Sequence, residues 1–137
     1  MTIVLDTSFF VALTDRRDDA HAEVAAYFQA TDEDFVTTPL ALAEMDHFAA
    51  RVGGPDGQQL VWDDFDAGVY GLRWWADGLR DTIAVARGRP EIGLTDASLV
   101  ALAARLHTTR IATLDLQHFR AVTDRNGQPF TLLPADA

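Results

Sequence analysis

Apolar residues follow two patterns of spacing along this chain, and the pattern predicts the type of each secondary-structure element. Short, continuous apolar runs are typical of buried strands, and they cover residues 2–6, 34–37, 67–72, 110–114 and 130–133. Apolar residues that recur every three or four positions are typical of helices, and they cover residues 9–13, about 18–30, 39–52, about 56–66, about 75–87 and 95–106. Gly53-Gly54-Pro55 predicts the end of one helix, and residues 88–93 predict a loop. Alternating strands and helices predict a three-layer α/β/α domain with a mainly parallel central sheet.

The length of the chain predicts a single domain that spans residues 1–137. A chain of 137 residues with 48% hydrophobic residues is large enough to bury its own core. No apolar run approaches the 18 or so residues of a membrane-spanning helix, and the apolar start is interrupted by Asp6 and has no basic leader. We therefore expect no membrane association and a cytoplasmic location.

The net charge of the chain limits the ways in which it could bind a nucleic acid. The net charge of −10 argues against a protein that coats nucleic acid non-specifically, because such affinity comes from many Lys and Arg side chains that neutralise phosphates. An enzyme that cuts nucleic acid is not excluded, since bound divalent ions offset acidic charge locally. All eleven basic residues are arginines, which suit bidentate phosphate contacts.

Cysteine is absent, which excludes disulfides, thiol nucleophiles and thiolate metal sites. The four histidines show no spacing typical of a zinc site. Any metal ion would therefore be held mostly by oxygen atoms.

Two aspartates follow predicted buried strands directly. Asp6 closes the run I-V-L-D and Asp115 closes I-A-T-L-D. Ligands of open parallel sheets bind outside the carboxyl ends of the strands, so two strands deliver a carboxylate to the same edge. Each aspartate has the alternative role of a helix cap, but two such coincidences weaken that explanation.

Two further acids are predicted to lie on helices beside this edge. Asp96 opens the helix G-L-T-D-A-S and shares a face with Leu99 and Ala103, although capping is again an alternative. Glu44 lies on the stripe formed by Ala41, Met45, Phe48 and Val52. A carboxylate on an apolar stripe is costly unless it is paired, protonated or bound to a metal, or lies at the edge of the stripe.

Four carboxylates at one edge predict a divalent metal site. Two carboxylates about 4 Å apart repel by about 4 kcal/mol at an effective dielectric constant near 20, so a cluster favours protonation or a hard cation. Oxygen ligands favour Mg²⁺ or Mn²⁺, and such ions support hydrolysis of phosphodiesters by polarising the phosphate and lowering the pKa of an attacking water. Neighbouring hydroxyl groups are candidates to hydrogen-bond the acids: Thr7, Ser8, Ser98 and Thr113.

Four motifs together resemble the PIN-domain family, particularly the VapC-like ribonuclease toxins of bacterial toxin–antitoxin pairs. They are V-L-D-T-S-F-F-V-A-L, P-L-A-L-A-E-M-D, G-L-T-D-A-S-L-V-A-L-A and I-A-T-L-D-L-Q-H-F-R-A-V. The resemblance implies that the family's acidic quartet corresponds to Asp6, Glu44, Asp96 and Asp115, with Asp6 and Asp96 the surest metal ligands and Thr113 the hydroxyl residue before the last acid.

The same resemblance implies a metal-dependent endoribonuclease that leaves 5′-phosphate and 3′-hydroxyl ends, forms a homodimer and is silenced by a small antitoxin protein. A PIN-like module that only binds a partner is the main alternative. A haloacid-dehalogenase-like phosphatase is disfavoured, because such enzymes have Asp-x-Asp after the first strand and this chain has Asp6-Thr7-Ser8. A receiver-type signalling domain is disfavoured because the chain contains no lysine.

Overall fold

A computed structural model, which describes all 137 residues, contains five strands and six α-helices. In chain order the elements are β1 (Thr2–Leu5), α1 (Thr7–Thr14), α2 (His21–Ala30), β2 (Asp34–Thr37), α3 (Pro39–Asp66), β3 (Gly71–Leu72), α4 (Gly78–Gly88), a 3₁₀ turn (Pro90–Ile92), α5 (Gly93–Leu106), β4 (Arg110–Ala112), α6 (Leu116–Arg120) and β5 (Thr131–Leu133). None of the helices is both long enough and apolar enough to cross a membrane.

The five strands form one sheet in the order β3-β2-β1-β4-β5, and every neighbouring pair is parallel. Helices flank this sheet, so the predicted three-layer α/β/α fold with a parallel sheet is confirmed. The chain leaves β1 on one side to form β2 and β3, and it adds β4 and β5 on the other side. The direction of winding therefore changes between β1 and β4, and parallel sheets bind their ligands at the carboxyl ends beside such a point.

The central strand β1 is enclosed on all sides. Ile3, Val4 and Leu5 have no exposed surface. A parallel strand that is covered on both faces consists of consecutive apolar residues. This segment is therefore recognisable in the sequence. Phe9 of α1 stacks on Phe35 of β2, with ring centroids 5.7 Å apart, and extends the packed core towards α2. The residues that directly follow β1 are therefore held by a rigid support.

Helix α3 contains a sharp break at Gly54. This residue has φ 63° and ψ −159°, a conformation that is essentially restricted to glycine. Gln58 and the indole of Trp62, beyond the break, both donate hydrogen bonds to the carboxylate of Asp46, before it. The predicted separation of two helices at Gly53-Gly54-Pro55 thus corresponds to a bend between two arms that Asp46 ties together.

Several boundaries differ from the sequence prediction. The strand predicted at residues 67–72 is reduced to Gly71–Leu72, because the turn after α3 continues with hydrogen bonds from Gly68 to Phe65 and from Val69 to Asp64. The predicted loop at 88–93 contains the 3₁₀ turn, and α5 starts two residues earlier than expected. The short helix α6 corresponds to the helix that Asp115 would cap, for which the sequence predicted no bounds.

Candidate active site

A cleft of about 720 Å³ opens at the carboxyl ends of β1 and β4, where the winding of the sheet changes direction. Its walls come from α1, α3, α5 and the segment that follows β4. All four acids that the sequence singled out line it: Asp6, Glu44, Asp96 and Asp115. The cleft is large enough for several groups of a ligand to enter together.

Asp6 is the most deeply placed of these acids, with only 4% of its surface exposed. Its backbone N–H donates to the carbonyl of Ala112, which continues the pairing of β1 with β4 and fixes the start of the side chain. Burial raises the pKa of Asp6, and hydrogen bonds from Thr113 and Ser8 offset part of that rise. Repulsion from Asp115 adds to the rise. The protein therefore holds a carboxylate where its negative charge is poorly solvated.

Two hydroxyl groups hold the Asp6 carboxylate in one orientation. The Ser8 hydroxyl donates to Asp6 Oδ2 at 2.7 Å, and the Thr113 hydroxyl donates to the same oxygen at 2.6 Å. Ser8 Oγ accepts a hydrogen bond from Leu114 N–H, and Thr113 Oγ1 accepts one from Asp115 N–H. Because both hydroxyl oxygens accept from the backbone, both hydroxyl protons are directed towards Asp6.

Asp96 lies in the first turn of α5 and is half-buried at the wall of the cleft. Burial is the main cause that raises its pKa to about 6, and repulsion from Asp6 and Asp115 contributes to the rise. A hydrogen bond with His118 acts in the opposite direction. The first turn of a helix favours a negative charge electrostatically, so the start of α5 favours the ionised form of Asp96, which is the form that binds a metal ion.

Asp115 and His118 occupy a single helical turn. Asp115 caps α6, because its Oδ1 accepts a hydrogen bond from the backbone N–H of His118 at 3.1 Å. The imidazole Nδ1 of His118 lies 2.7 Å from Asp96 Oδ2 and 3.0 Å from Asp115 Oδ2. The hydrogen bond with Asp96 is the main cause that raises the pKa of His118. The imidazole thus bridges two of the acids.

Sequence reasoning did not predict that His118 would join this cluster, because the histidines lack the spacings typical of zinc sites. The available signal was the spacing Asp115-x-x-His118, since residues three apart lie on the same side of a helix. That signal required the prediction of α6, which is only five residues long.

The surroundings of Glu44 differ from the sequence prediction. Ala41 and Met45 are buried, but Glu44 is exposed, and Phe48 and Val52 are 37% and 44% exposed. The buried face of α3 therefore contains residues that are four positions apart, Ala41 and Met45. Glu44 comes one position before Met45, and its side chain lines the cleft. Its carboxylate carries no burial penalty that demands a partner. It remains a candidate ligand only because it lines the same cleft.

The remaining predicted hydroxyls have different surroundings. Ser98 Oγ lies 2.8 Å from the hydroxyl of Thr38 and donates to the carbonyl of Thr95, so it connects α5 to the start of α3 and does not contact an acid. Thr7 lines the cleft, and its buried hydroxyl has no hydrogen-bond partner. A buried hydroxyl without a partner is uncommon in folded proteins.

The donor set fits a hard divalent cation. Carboxylate oxygens are the ligands that Mg²⁺ and Mn²⁺ prefer. Oxygen atoms of Asp96 and Asp115 and a ring nitrogen of His118 all lie within 4.8 Å of one another. The raised pKa values of Asp6 and Asp96 show that the negative charges are held at a cost in the protein alone. A cation at this place would remove that cost.

Comparison with known proteins gives a match over most of the chain. The model of the PIN domain family matches residues 3–124. The chain is 30% identical over 135 residues to Ribonuclease VapC26 of Mycobacterium tuberculosis, an alignment that covers 96% of this chain and 100% of that protein.

Three solved structures share the fold. VapC20 of M. tuberculosis, described as a sarcin-ricin loop cleaving toxin, gives a TM-score of 0.76 at 18% identity and covers 83% of this chain and 90% of its own. VapBC2 of Rickettsia felis, solved with a DNA fragment from its promoter, gives 0.63 at 15% identity, with coverages of 89% and 93%. FitAcB of Neisseria gonorrhoeae gives 0.56 at 19% identity, with coverages of 85% and 88%.

Proposed function

Because this chain belongs to the PIN domain family, we propose that it is a metal-dependent endoribonuclease and the toxin of a toxin–antitoxin pair. The observation that carries this proposal is the convergence of Asp6, Asp96 and Asp115 in one cleft at the carboxyl ends of β1 and β4. The name of VapC26, which aligns along its whole length with this chain, supports RNA as the substrate.

The proposed metal ligands are Asp6, Asp96 and Asp115, with Glu44 at the exposed rim of the cleft. Mg²⁺ or Mn²⁺ supplies the positive charge that polarises the phosphate and lowers the pKa of the attacking water. The protein supplies the orientation. Ser8 and Thr113 fix the Asp6 carboxylate before any ligand arrives, so little rearrangement is needed on binding.

The exposed position of Glu44 suits a role different from that of Asp6. A flexible carboxylate at the rim can approach the ion or the substrate from the solvent side without a cost in burial. Asp6 cannot move in this way, because it is enclosed and doubly hydrogen-bonded. We therefore assign the permanent part of the metal site to buried Asp6 and half-buried Asp96 and Asp115, and a supporting role to Glu44.

An apolar groove continues from the cleft and is the proposed contact surface of the antitoxin. Its volume is about 420 Å³, and it lies between α1 and the two arms of α3. Val11 and Phe48 line both the groove and the acidic cleft, so the two form one continuous surface. An antitoxin segment with apolar residues followed by a basic residue would fill the groove and neutralise the carboxylates. The structural similarity to VapBC2 supports a partner of this class.

Homodimer formation belongs to the same proposal. Apolar side chains are exposed around β3 and the start of α4, including those of Leu72, Trp74 and Leu79. Exposed apolar residues that are near one another often mark a contact between proteins. Light scattering of the purified protein would give the mass in solution, and a mass of a single chain would contradict this part of the proposal.

Cleavage of total bacterial RNA tests the proposed activity. Wild type and Asp6→Asn should be prepared identically and incubated with Mg²⁺, with Mn²⁺ and with a chelator. We expect discrete fragments with 5′-phosphate and 3′-hydroxyl ends from wild type only when a metal ion is present. Equal cutting by Asp6→Asn would remove Asp6 from the mechanism. The absence of both cutting and metal binding in wild type would favour the alternative of a PIN-like binding module.

The phosphatase alternative gains no support from the site. Its second acid would stand two residues after Asp6, where this chain has Ser8. The Ser8 hydroxyl donates to Asp6 and holds it still. Ser8 therefore orients Asp6, which is a proposed metal ligand. A serine does not protonate a leaving group as the second aspartate of such a phosphatase would.

A further inference from the structure

We propose that His118 is a ligand of the divalent ion, together with Asp96 and Asp115, and that its imidazole makes this site prefer a first-row transition-metal ion such as Mn²⁺ to Mg²⁺. This inference rests on the proposed metal site. It adds a nitrogen donor to the four carboxylates that the PIN resemblance implies, and it assigns a basis for the choice of metal.

The distances around His118 match the spacing of neighbouring ligands on one ion. Two ligand atoms at right angles about an ion, each about 2.1 Å away, lie about 3.0 Å apart. Nδ1 of His118 lies 2.7 Å from Asp96 Oδ2 and 3.0 Å from Asp115 Oδ2. An ion bound by Nδ1 and these oxygens would lie to one side of the lines that join them, after the nitrogen has lost its proton. No large movement of the three side chains is required.

His118 is also held in place by its surroundings. Its backbone N–H is bound by the side chain of Asp115 in the first turn of α6. The next residue, Phe119, is 1% exposed and anchors this helix in the core. No partner other than the two carboxylates contacts the His118 ring through a hydrogen bond. The ring is therefore directed at the two acids of the cleft by the fold.

A second observation concerns an unsatisfied polar group in a residue that lines the cleft. The hydroxyl of Thr7 is buried, lacks a hydrogen-bond partner and belongs to a residue that lines the same cleft. Thr7 follows Asp6 directly, so an unsatisfied polar group lies in the segment that carries the deepest carboxylate.

The chemical consequence is a shift in metal preference. Mg²⁺ prefers oxygen ligands and retains its waters, whereas imidazole binds transition-metal ions more strongly. We expect wild type to bind Mn²⁺ at least about tenfold more tightly than Mg²⁺, and His118→Asn to lose most of that difference. Asparagine is the informative replacement, because its amide places a hydrogen-bonding atom near the position of Nδ1 but removes the imidazole nitrogen.

Pulsed electron paramagnetic resonance of Mn²⁺ bound to the full-length protein tests the inference directly. A directly bound imidazole gives a characteristic ¹⁴N modulation of the electron spin echo. We expect this signal from wild type and its loss in His118→Asn. The matched control is His107→Asn, at the other end of α5, where φ is 55° and asparagine is well tolerated. The control should retain the nitrogen signal and the Mn²⁺ preference.

The outcomes separate this inference from the proposed function. Mn²⁺ binding by wild type without a nitrogen signal would overturn the ligand role of His118 and leave the carboxylate metal site intact. Retention of the full preference for Mn²⁺ by His118→Asn would overturn that role as well. Failure of wild type to bind any divalent ion, with no RNA cleavage, would overturn both the ligand role and the proposed function. The decisive signal is measured on wild type, so poor folding of a variant does not block the test.

Discussion

The hydroxyl of Thr113 donates a hydrogen bond of 2.6 Å to Asp6 Oδ2 and joins two residues that are 107 positions apart in the chain. They meet because β1 and β4 pair in parallel, with Leu5 opposite Ala112, so that the next residue of each strand follows at the same edge. The orientation of the deepest acid therefore depends on correct pairing of the two central strands.

We expect Thr113→Val to impair the site more than the fold. The change removes a donor to Asp6, so the pKa of Asp6 rises further, and metal affinity should fall about 10- to 100-fold. The free energy of unfolding should fall by about 1–3 kcal/mol, because Asp6 and the N–H of Asp115 each lose a partner. Calorimetric titration with Mg²⁺ and thermal unfolding check this. Thr113→Ser retains the hydroxyl and should bind metal nearly as well as wild type.

The metal-free protein should lose stability as the pH rises from about 4 to about 6, and it should lose more as His118 releases its proton at higher pH. The folded state raises the pKa of Asp96 to about 6 from an ordinary value of 3.8, so this stabilising contribution is complete below about pH 4 and is lost as the pH passes 6. His118 acts in the same direction, because its raised pKa stabilises the folded state at low pH and that contribution disappears above the raised value. Thermal unfolding in a chelator measures the effect.

Asp96→Asn should flatten this pH dependence and raise the melting temperature of the metal-free protein at about pH 8, because a repelled charge is removed. With metal present the wild-type trend should reverse, since the ion needs deprotonated ligands and binds better as the pH rises. A melting temperature that rises with pH in the chelator would contradict the raised pKa values of Asp96 and His118.

The sequence allowed the positions of Asp6, Asp96 and Asp115 to be predicted, because each follows from local patterns. Two of them close buried apolar runs, and one lies in the first turn of a helix with a regular apolar face. The rule that parallel strands present their carboxyl ends at one edge then brings the three together. Local patterns therefore identify the three acids, whereas the closeness of Asp6 and Asp115 depends on the pairing of β1 with β4.

Other features of the candidate site depend on long-range packing and could not be predicted from the sequence. The exposure of Glu44 depends on which face of α3 packs against the core. The spacing of the apolar residues fits a buried face that includes Glu44 as well as one that excludes it. The contact between His118 and Asp96 requires α6, which is too short for periodicity to show. The bond from Thr113 to Asp6 requires the pairing of β1 with β4, which the local sequence does not specify.

Glu44→Gln should reduce cleavage less than Asp6→Asn. Asp6 is enclosed and fixed by two hydroxyls, whereas Glu44 is exposed at the rim, where water replaces a lost contact. We expect Asp6→Asn to lower the rate by more than about 100-fold, and Glu44→Gln to have a smaller effect that shrinks as Mg²⁺ is increased. Initial rates over a range of Mg²⁺ concentrations compare the two. Equal losses at saturating Mg²⁺ would place Glu44 among the permanent ligands.

Asp46→Ala should lower stability without changing the chemistry. Asp46 accepts hydrogen bonds from Gln58 and from the indole of Trp62 at 2.7 Å, and these bonds tie the two arms of α3 across the break at Gly54. Their loss should cost about 1–2 kcal/mol in the free energy of unfolding. Urea unfolding followed by tryptophan fluorescence measures this, and cleavage at saturating Mg²⁺ should be unchanged. A large loss of rate in a folded Asp46→Ala protein would indicate a role in the site.

Leu60→Asp should weaken the antitoxin complex and spare the ribonuclease. Leu60 lines the apolar groove and is 66% exposed in the free protein, so a charge there costs little until a partner covers it. Burial of that charge against an apolar segment should lower affinity at least about tenfold. The comparison variant is Leu79→Asp, at a leucine that is 55% exposed, lies outside the groove and belongs to the proposed dimer surface, so it should weaken the dimer and retain antitoxin binding. Co-expression with the candidate antitoxin and titration of the purified complex provide the measurement. Loss of antitoxin binding with Leu79→Asp but not with Leu60→Asp would move the contact surface from the groove to α4.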